Sequence, residues 1–119
     1  MASVQQTALD EIVPRRAAAH IRAFCRDAVT ALPQKIDKFV LFGSRARREA
    51  STDSDYDIAV FVDDFKNRRS VDHLLADIAY KHIVSGVHIS PVSIPSDFLE
   101  NADKNAFAQS LLRDGIEVR

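Results

Sequence analysis

The sequence predicts an α/β fold, a small mixed β-sheet flanked by helices, and three observations carry that prediction. Apolar residues recur at three- and four-residue steps in two long segments and again near the C-terminus, the spacing of buried helical stripes. Between these segments lie short, continuously apolar runs rich in β-branched residues, which suit strands covered on both faces. Helical and strand patterns alternate along the chain, the order from which helices come to cover a sheet.

Composition sets the outer limits. A chain of 119 residues is the size of one domain, here 1–119, with room for a single core. The apolar set makes up 46% and charged residues 28%, a globular balance rather than a disordered one. Sixteen Lys+Arg against seventeen Asp+Glu give a formal net charge of -1, which argues against a basic nucleic-acid-binding module. The lone cysteine, Cys25, cannot form an intrachain disulfide. No signal-peptide pattern and no membrane-length apolar run is present, so the expected setting is the cytoplasm, without a membrane partner.

The elements follow in order. From Thr7 to Leu32, Leu9, Ile12, Val13, Ala17, Ile21, Phe24, Ala28 and Leu32 form one helical stripe. Pro14 either kinks that helix or sits in the first turn of its longer second half, and Pro33 closes it. Phe39 to Phe42 is a buried strand ending at Gly43. Ser44 to Glu49 is expected to open a short helix with Ser44 near its N-cap, and Ala50 to Ser54 is a loop. Ile58 to Val62 makes a second buried strand. Val71, Leu74, Leu75, Ile78, Ala79, His82 and Ile83 mark a helix that Ser85-Gly86 stops. Val87 to Ile94 is a third strand, placed at an edge or bulged because Pro91 has no amide hydrogen to donate. A last helix spans Lys104 to Arg113, followed by a short Ile116-Glu117-Val118 extension. The link between the first two strands, about ten residues, is too short for a full crossover helix, so the sheet should be antiparallel or mixed.

Two pieces of sequence point to chemistry. Gly43-Ser44 ends an apolar strand, where glycine allows close backbone approach and serine offers a hydroxyl beside unpaired amides, a corner suited to phosphate. Asp55 and Asp57 stand two apart at the mouth of the next strand, so both carboxylates leave one face, roughly 7 Å apart along the backbone. Like charges that close call for a cation between them, and a pair of oxygen ligands suits Mg²⁺ together with phosphate and water. Ile58, Val60 and Val62 alternate to the opposite, anchored face. Arg45 and Arg47 are placed to contact phosphates, whereas Arg48 is expected to face solvent. Cys25, His73 and His82 read as packing or helix-face residues.

Together, Gly43-Ser44 and Asp55-x-Asp57 before an apolar strand, with Phe42-Gly43-Ser44-Arg45-Ala46-Arg47 around the first, resemble the nucleotidyltransferase superfamily that includes DNA polymerase beta. The resemblance is nearest to its small stand-alone members, the minimal nucleotidyltransferases. It implies the nucleotidyltransferase fold and a two-Mg²⁺ transfer of a nucleoside monophosphate, AMP from ATP, to an acceptor hydroxyl. It also implies that Gly43 and Ser44 hold the β- and γ-phosphates, with Arg45 and Arg47 beside them, and that Asp55 and Asp57 are the metal ligands and catalytic carboxylates. Where the family places a third carboxylate on the following strand, this sequence has His88 between Val87 and Ile89. Imidazole can act as a general base but is a poorer Mg²⁺ ligand than a carboxylate.

Two functions follow from the resemblance. One is an antitoxin that adenylylates a hydroxyl, such as a tyrosine, on a helical HEPN-type ribonuclease toxin. The other is a catalytically degenerate antitoxin or nucleotide-binding module that blocks its partner by surface contact. Near-neutral charge and the lack of a stacking aromatic platform argue against direct nucleic-acid binding.

Overall fold

The computed structural model describes residues 4, 8–49, 51, 54–63 and 65–119. Thr7, where the first helical pattern begins, and Ala50, Thr52 and Asp53 of the expected loop lie outside the described residues. Three α-helices and a four-stranded sheet make up the framework: α1 (Arg15–Ala31), β1 (Ile36–Phe42), β2 (Tyr56–Val62), α2 (Arg68–Val84), β3 (Ile89–Pro95), α3 (Ala106–Asp114) and β4 (Ile116–Glu117). The strand order is β3-β2-β1-β4. β1 runs antiparallel to β2 and to β4, whereas β2 and β3 are parallel. The sheet is therefore mixed, as the short link after β1 required, and α2 supplies the crossover between the parallel pair.

Both faces of the sheet are covered. Phe39 and Leu41 of β1 and Ile58, Val60 and Val62 of β2 pack beneath α1 and α2 against Ile21, Phe24, Leu75 and Ala79. Val40, Ala59 and Phe61 face the other way and meet Leu111, with Phe98 and Phe107 closing the layer. The continuously apolar stretches 39–41 and 58–62 follow from this arrangement, since both of their sides are buried. Cys25 belongs to the first layer, and burial raises its thiol to about 12, which keeps it an inert apolar filler.

Several boundaries differ from those the pattern predicts. The expected 7–32 helix is interrupted: Leu9–Glu11 form a separate 3-10 turn, and Pro14 is the N-cap of α1. β1 begins at Ile36, earlier than the apolar run, with a register irregularity between Ile36 and Lys38. β3 starts at Ile89 rather than Val87. It lies at the edge of the sheet, where the missing amide of Pro91 costs no interior pairing. A 3-10 segment, Phe98–Lys104, occupies the chain before α3, which starts at Ala106 because the Asn105 side chain accepts from the Phe107 and Ala108 amides. The short 116–118 extension contains β4, paired to Val40 and Leu41.

Ser44–Glu49 does not form the expected helix. It makes one turn, in which the Glu49 amide donates to Ser44 O at 2.9 Å and the Arg48 amide to Arg45 O at 3.3 Å. This is the bond pattern that ends helices, with Arg48 in the left-handed region at φ 60°. The turn is closed before a second one can begin. Among the described residues no helix is long and apolar enough to cross a membrane.

Candidate active site

Antiparallel pairing of β1 and β2 builds the corner that the two sequence motifs mark. Phe42 is the register partner of Asp57, which brings the chain at Gly43 alongside that carboxylate. Gly43 adopts φ +76°, and a Cβ there would lie 2.5 Å from Asp57 Oδ2. Both the left-handed conformation and the absence of a side chain are needed for this approach. Ser44 follows at once, in the first turn position of the closed loop.

Asp57 is half-buried within β2, and Asp55 precedes the strand in an exposed position. Because alternate residues point to opposite faces, Asp57 shares the side of Ala59 and Phe61, away from Ile58, Val60 and Val62. Burial, and then the negative charge of Asp55, push the Asp57 carboxyl above the usual 3.8, while Arg47 pulls it down. The Asp57 carboxyl is thus held in a field that disfavours its ionisation, which a bound cation would relieve. Arg47 also pairs with Glu49, Nε to Oε2 at 3.0 Å. Arg48 is exposed, as expected.

Arg45 turns a different way. Its Nε and Nη2 donate to the Ser54 carbonyl at 3.2 and 2.9 Å, and its guanidinium lies 4.2 Å from the centre of the Tyr56 ring. This contact ties the turn after β1 to the entry of β2. His88 sits at the centre of a tight turn in which the Ile89 amide donates to Val87 O at 3.0 Å, and its own carbonyl accepts from the Tyr56 amide at 2.8 Å. Since Tyr56 pairs with Ile89 in the parallel register, His88 is one step before the ladder, level with Asp55. Arg45 and His88 share the lining of a cavity of about 490 Å³, together with Arg16, Ser54, Tyr56 and Gly86.

The sequence-derived site residues therefore fall into two groups. Gly43, Ser44, Asp55 and Asp57 form the corner, with Arg47 acting on it electrostatically, whereas Arg45 and His88 line a cavity that neither aspartate reaches, among residues of the α1 and α2 layer. Arg16 and Tyr56 were not singled out by sequence. Tyr56 is the middle residue of Asp-x-Asp and could have been noticed as a buried ring with a guanidinium partner to find, whereas Arg16 sits in α1, far from either motif, and left no signal.

Two acceptor-only carboxylates beside a glycine that admits close approach form a donor set that fits Mg²⁺ completed by substrate oxygens and water. Among the described residues no three His, Cys, Asp or Glu side chains gather into a metal cage, so His88 does not complete a three-ligand site with the aspartates. His82, expected to be a packing residue, is buried, but its ring is paired: its Nδ1 lies 2.8 Å from that of His20.

The comparison with known proteins agrees with this geometry. The model of a family described as "Polymerase beta, Nucleotidyltransferase" matches residues 28–118, which include both motifs and the whole sheet. A curated relative from Methanocaldococcus jannaschii, named "Putative protein adenylyltransferase MJ0141", is 26% identical over 98 residues, covering 82% of this chain and 94% of the relative.

Proposed function

This chain belongs to the polymerase beta nucleotidyltransferase family, and from that premise we propose that it transfers AMP from ATP, with Mg²⁺, to a hydroxyl on a partner protein. The observation that supports this most directly is the packing of Gly43 against Asp57, with Asp55 two residues away. It joins a phosphate-accepting turn to a carboxylate pair within one matched family segment. The name of the relative supports AMP as the transferred group and a protein as its acceptor.

In this proposal the backbone at Gly43 and the Ser44 hydroxyl hold the β- and γ-phosphates, with Arg47 adding charge. Asp55 and Asp57 hold Mg²⁺, which when bound neutralises charge on the transferring and leaving phosphates. The acceptor oxygen attacks the α-phosphorus, the bond from that phosphorus to the bridging oxygen breaks, and pyrophosphate leaves. His88, level with Asp55, accepts the hydroxyl proton through its imidazole. Arg45 positions the corner through Ser54 and Tyr56. The proposed partner is a helical, HEPN-type ribonuclease toxin and the proposed role is that of its antitoxin, in the cytoplasm.

A second reading keeps binding and removes transfer. The observation favouring it is His88 standing where the family pattern has a carboxylate. The two are separated by incubating the chain with Mg²⁺, ATP labelled at the α-phosphate, and the protein encoded by the neighbouring reading frame. Label on that protein, lost in Asp57→Ala, supports transfer. A stoichiometric complex without label, with label appearing only in His88→Asp, supports the degenerate antitoxin.

A further inference from the structure

The helical layer carries a pair of imidazoles that the proposed reaction does not use. His20 of α1 and His82, in the last turn of α2, meet across 62 positions of sequence. Their Nδ1 atoms lie 2.8 Å apart, with the rings nearly perpendicular at 88°. His82 is buried, and its Nε2 has no hydrogen-bond partner among the described residues, so Nδ1 is the nitrogen through which that ring makes its polar contact. His20 is half-buried. Both rings line a cavity of about 340 Å³, together with Ala19, Ala23, Lys81 and Ser85. The two alanines are small enough to leave space beside His20.

Two imidazole nitrogens facing each other at this distance share either a proton or a metal ion. Burial lowers the titration of His82, which favours the neutral ring, the form in which imidazole binds metal. Nitrogen donors of this kind suit Zn²⁺, Cu²⁺ and Ni²⁺, whereas Mg²⁺ takes oxygen. The separation then selects among the three. With metal–nitrogen bonds of about 2.0–2.1 Å, two ligands at a right angle stand about 2.9 Å apart and two at a tetrahedral angle about 3.3 Å apart. The observed 2.8 Å matches the right angle of square-planar or octahedral ions, Cu²⁺ and Ni²⁺, better than tetrahedral Zn²⁺. The surroundings favour a cation as well. The last turn of α2 is the negative end of its dipole. The nearby ammonium of Lys81 is taken up by Asp27 at 2.8 Å, and the Asp27 carboxylate also acts on His82.

The geometry points to a binding site for a divalent transition ion, Ni²⁺ or Cu²⁺, held by Nδ1 of His20 and Nδ1 of His82 as neighbouring ligands, with water filling its other positions from the cavity. On binding, the proton shared by the two rings leaves for solvent, two nitrogen–metal bonds form in its place, and no electron is transferred. The ion clips α1 to α2 on the side of the sheet away from Asp57, which shares the face of Ala59 and Phe61. This site stands whether or not the chain transfers nucleotides.

The test is calorimetric titration of the whole chain, stripped of metal by a chelator that is then removed, with NiCl₂, and thermal midpoints of the same samples. Wild-type protein should bind one Ni²⁺ per chain, more tightly than Zn²⁺, and its midpoint should rise with Ni²⁺. His20→Gln should weaken binding by at least the roughly 10–100-fold that even an outer partner of a metal ligand is worth, and should remove the rise. His20 is only half-buried, and the metal-free midpoint checks that the variant is folded; His82→Gln, checked in the same way, should repeat the loss. His73→Gln, on the exposed face of α2, should bind as wild type does. Absence of stoichiometric Ni²⁺ binding, tighter binding of Zn²⁺, affinity unchanged in both His20→Gln and His82→Gln, or an equal loss in His73→Gln overturns the inference. So does displacement of Ni²⁺ by excess Mg²⁺, since that assigns the ion to the aspartates.

Discussion

Gly43 and Asp57 are packed so closely that a methyl group on the first would stand 2.5 Å from a carboxylate oxygen of the second. Neighbouring strands bring them together, yet it is the lack of a side chain at φ +76° that lets the backbone turn there. Gly43→Ala should therefore strain the turn by about 1–2 kcal/mol for the left-handed residue, and should displace Asp57 as well. Differential scanning fluorimetry is expected to show a midpoint lowered by several degrees, and titration with Mg²⁺ and ATP a loss of affinity larger than the stability change explains. A variant with wild-type affinity would separate Gly43 from the nucleotide corner.

Asp57 costs the unliganded fold stability at neutral pH. Its carboxyl is raised above 3.8, first by burial and second by Asp55. An acid raised in the folded state binds its proton more readily there than when unfolded. The associated stability is fully present below the unfolded value of 3.8 and is lost as pH rises through the folded one. At neutral pH the ionised side chain is thus a cost to the unliganded protein. Asp57→Asn should raise the unliganded midpoint at pH 7, leave it nearly unchanged at pH 3, and remove Mg²⁺-dependent stabilisation by ATP. A lower midpoint at pH 7 would mean that the carboxylate makes a stabilising contact instead.

The two histidines between α1 and α2 predict a different pH response. His20 and His82 approach Nδ1 to Nδ1 at 2.8 Å, with rings nearly perpendicular at 88°. Only one proton fits between them. His82 is 3% exposed, and its Nε2 has no hydrogen-bond partner among the described residues. Burial, then His20 and Lys81, lower its titration below the ordinary 6.5, with Asp27 opposing. Here the unfolded chain takes up the proton more readily, so stability is complete above 6.5 and declines as pH falls below it. Thermal midpoints measured from pH 7.5 to 5.5 should drop in the wild type. The slope should flatten in His82→Leu, and an unchanged slope would show that other groups set it.

Gly115 tests the architecture rather than the chemistry. Its φ is ordinary, but a Cβ there would overlap the Leu111 carbonyl oxygen and approach Val40 Cγ1 at 2.7 Å. The glycine lets α3 end directly against β1 so that β4 can pair with Val40 and Leu41. Gly115→Ala is expected to cost about 1–3 kcal/mol by overpacking, at roughly 4 °C of midpoint per kcal/mol in a domain of this size. A midpoint within a degree of wild type would show that β4 adjusts freely.

How much of this was legible in sequence depended on which forces act locally. Ile58, Val60 and Val62 announced a buried strand because their run is continuously apolar, and Pro91 announced an edge or a bulge because a missing amide is tolerated in few places, of which the edge is the one taken. The Gly43-Ser44 and Asp55-x-Asp57 motifs were legible because each sits at the end of an apolar run, where a backbone turn and charge are tolerated together. Ser44–Glu49 was misread, since its helix-start features are real but Arg48 takes the left-handed geometry and ends the turn at once. β4 was only an extension in sequence, because two residues have no period and their pairing with β1 is tertiary. The grouping of Arg16, Arg45 and His88 joins three distant segments, and the His20–His82 contact spans two helices. Neither leaves a pattern along the chain.

The most direct test of the central claim, that the corner between β1 and β2 is a nucleotide site built on Asp57, is the thermal midpoint of the protein with ATP in the presence and absence of Mg²⁺, beside Asp57→Ala under the same conditions. Ligand at a hundredfold excess over its dissociation constant stabilises a fold by about 2.7 kcal/mol. The account predicts a rise of many degrees that requires Mg²⁺ and vanishes in a folded Asp57→Ala. An equal rise in that variant, or none in the wild type with ATP or any other nucleoside triphosphate, would contradict it.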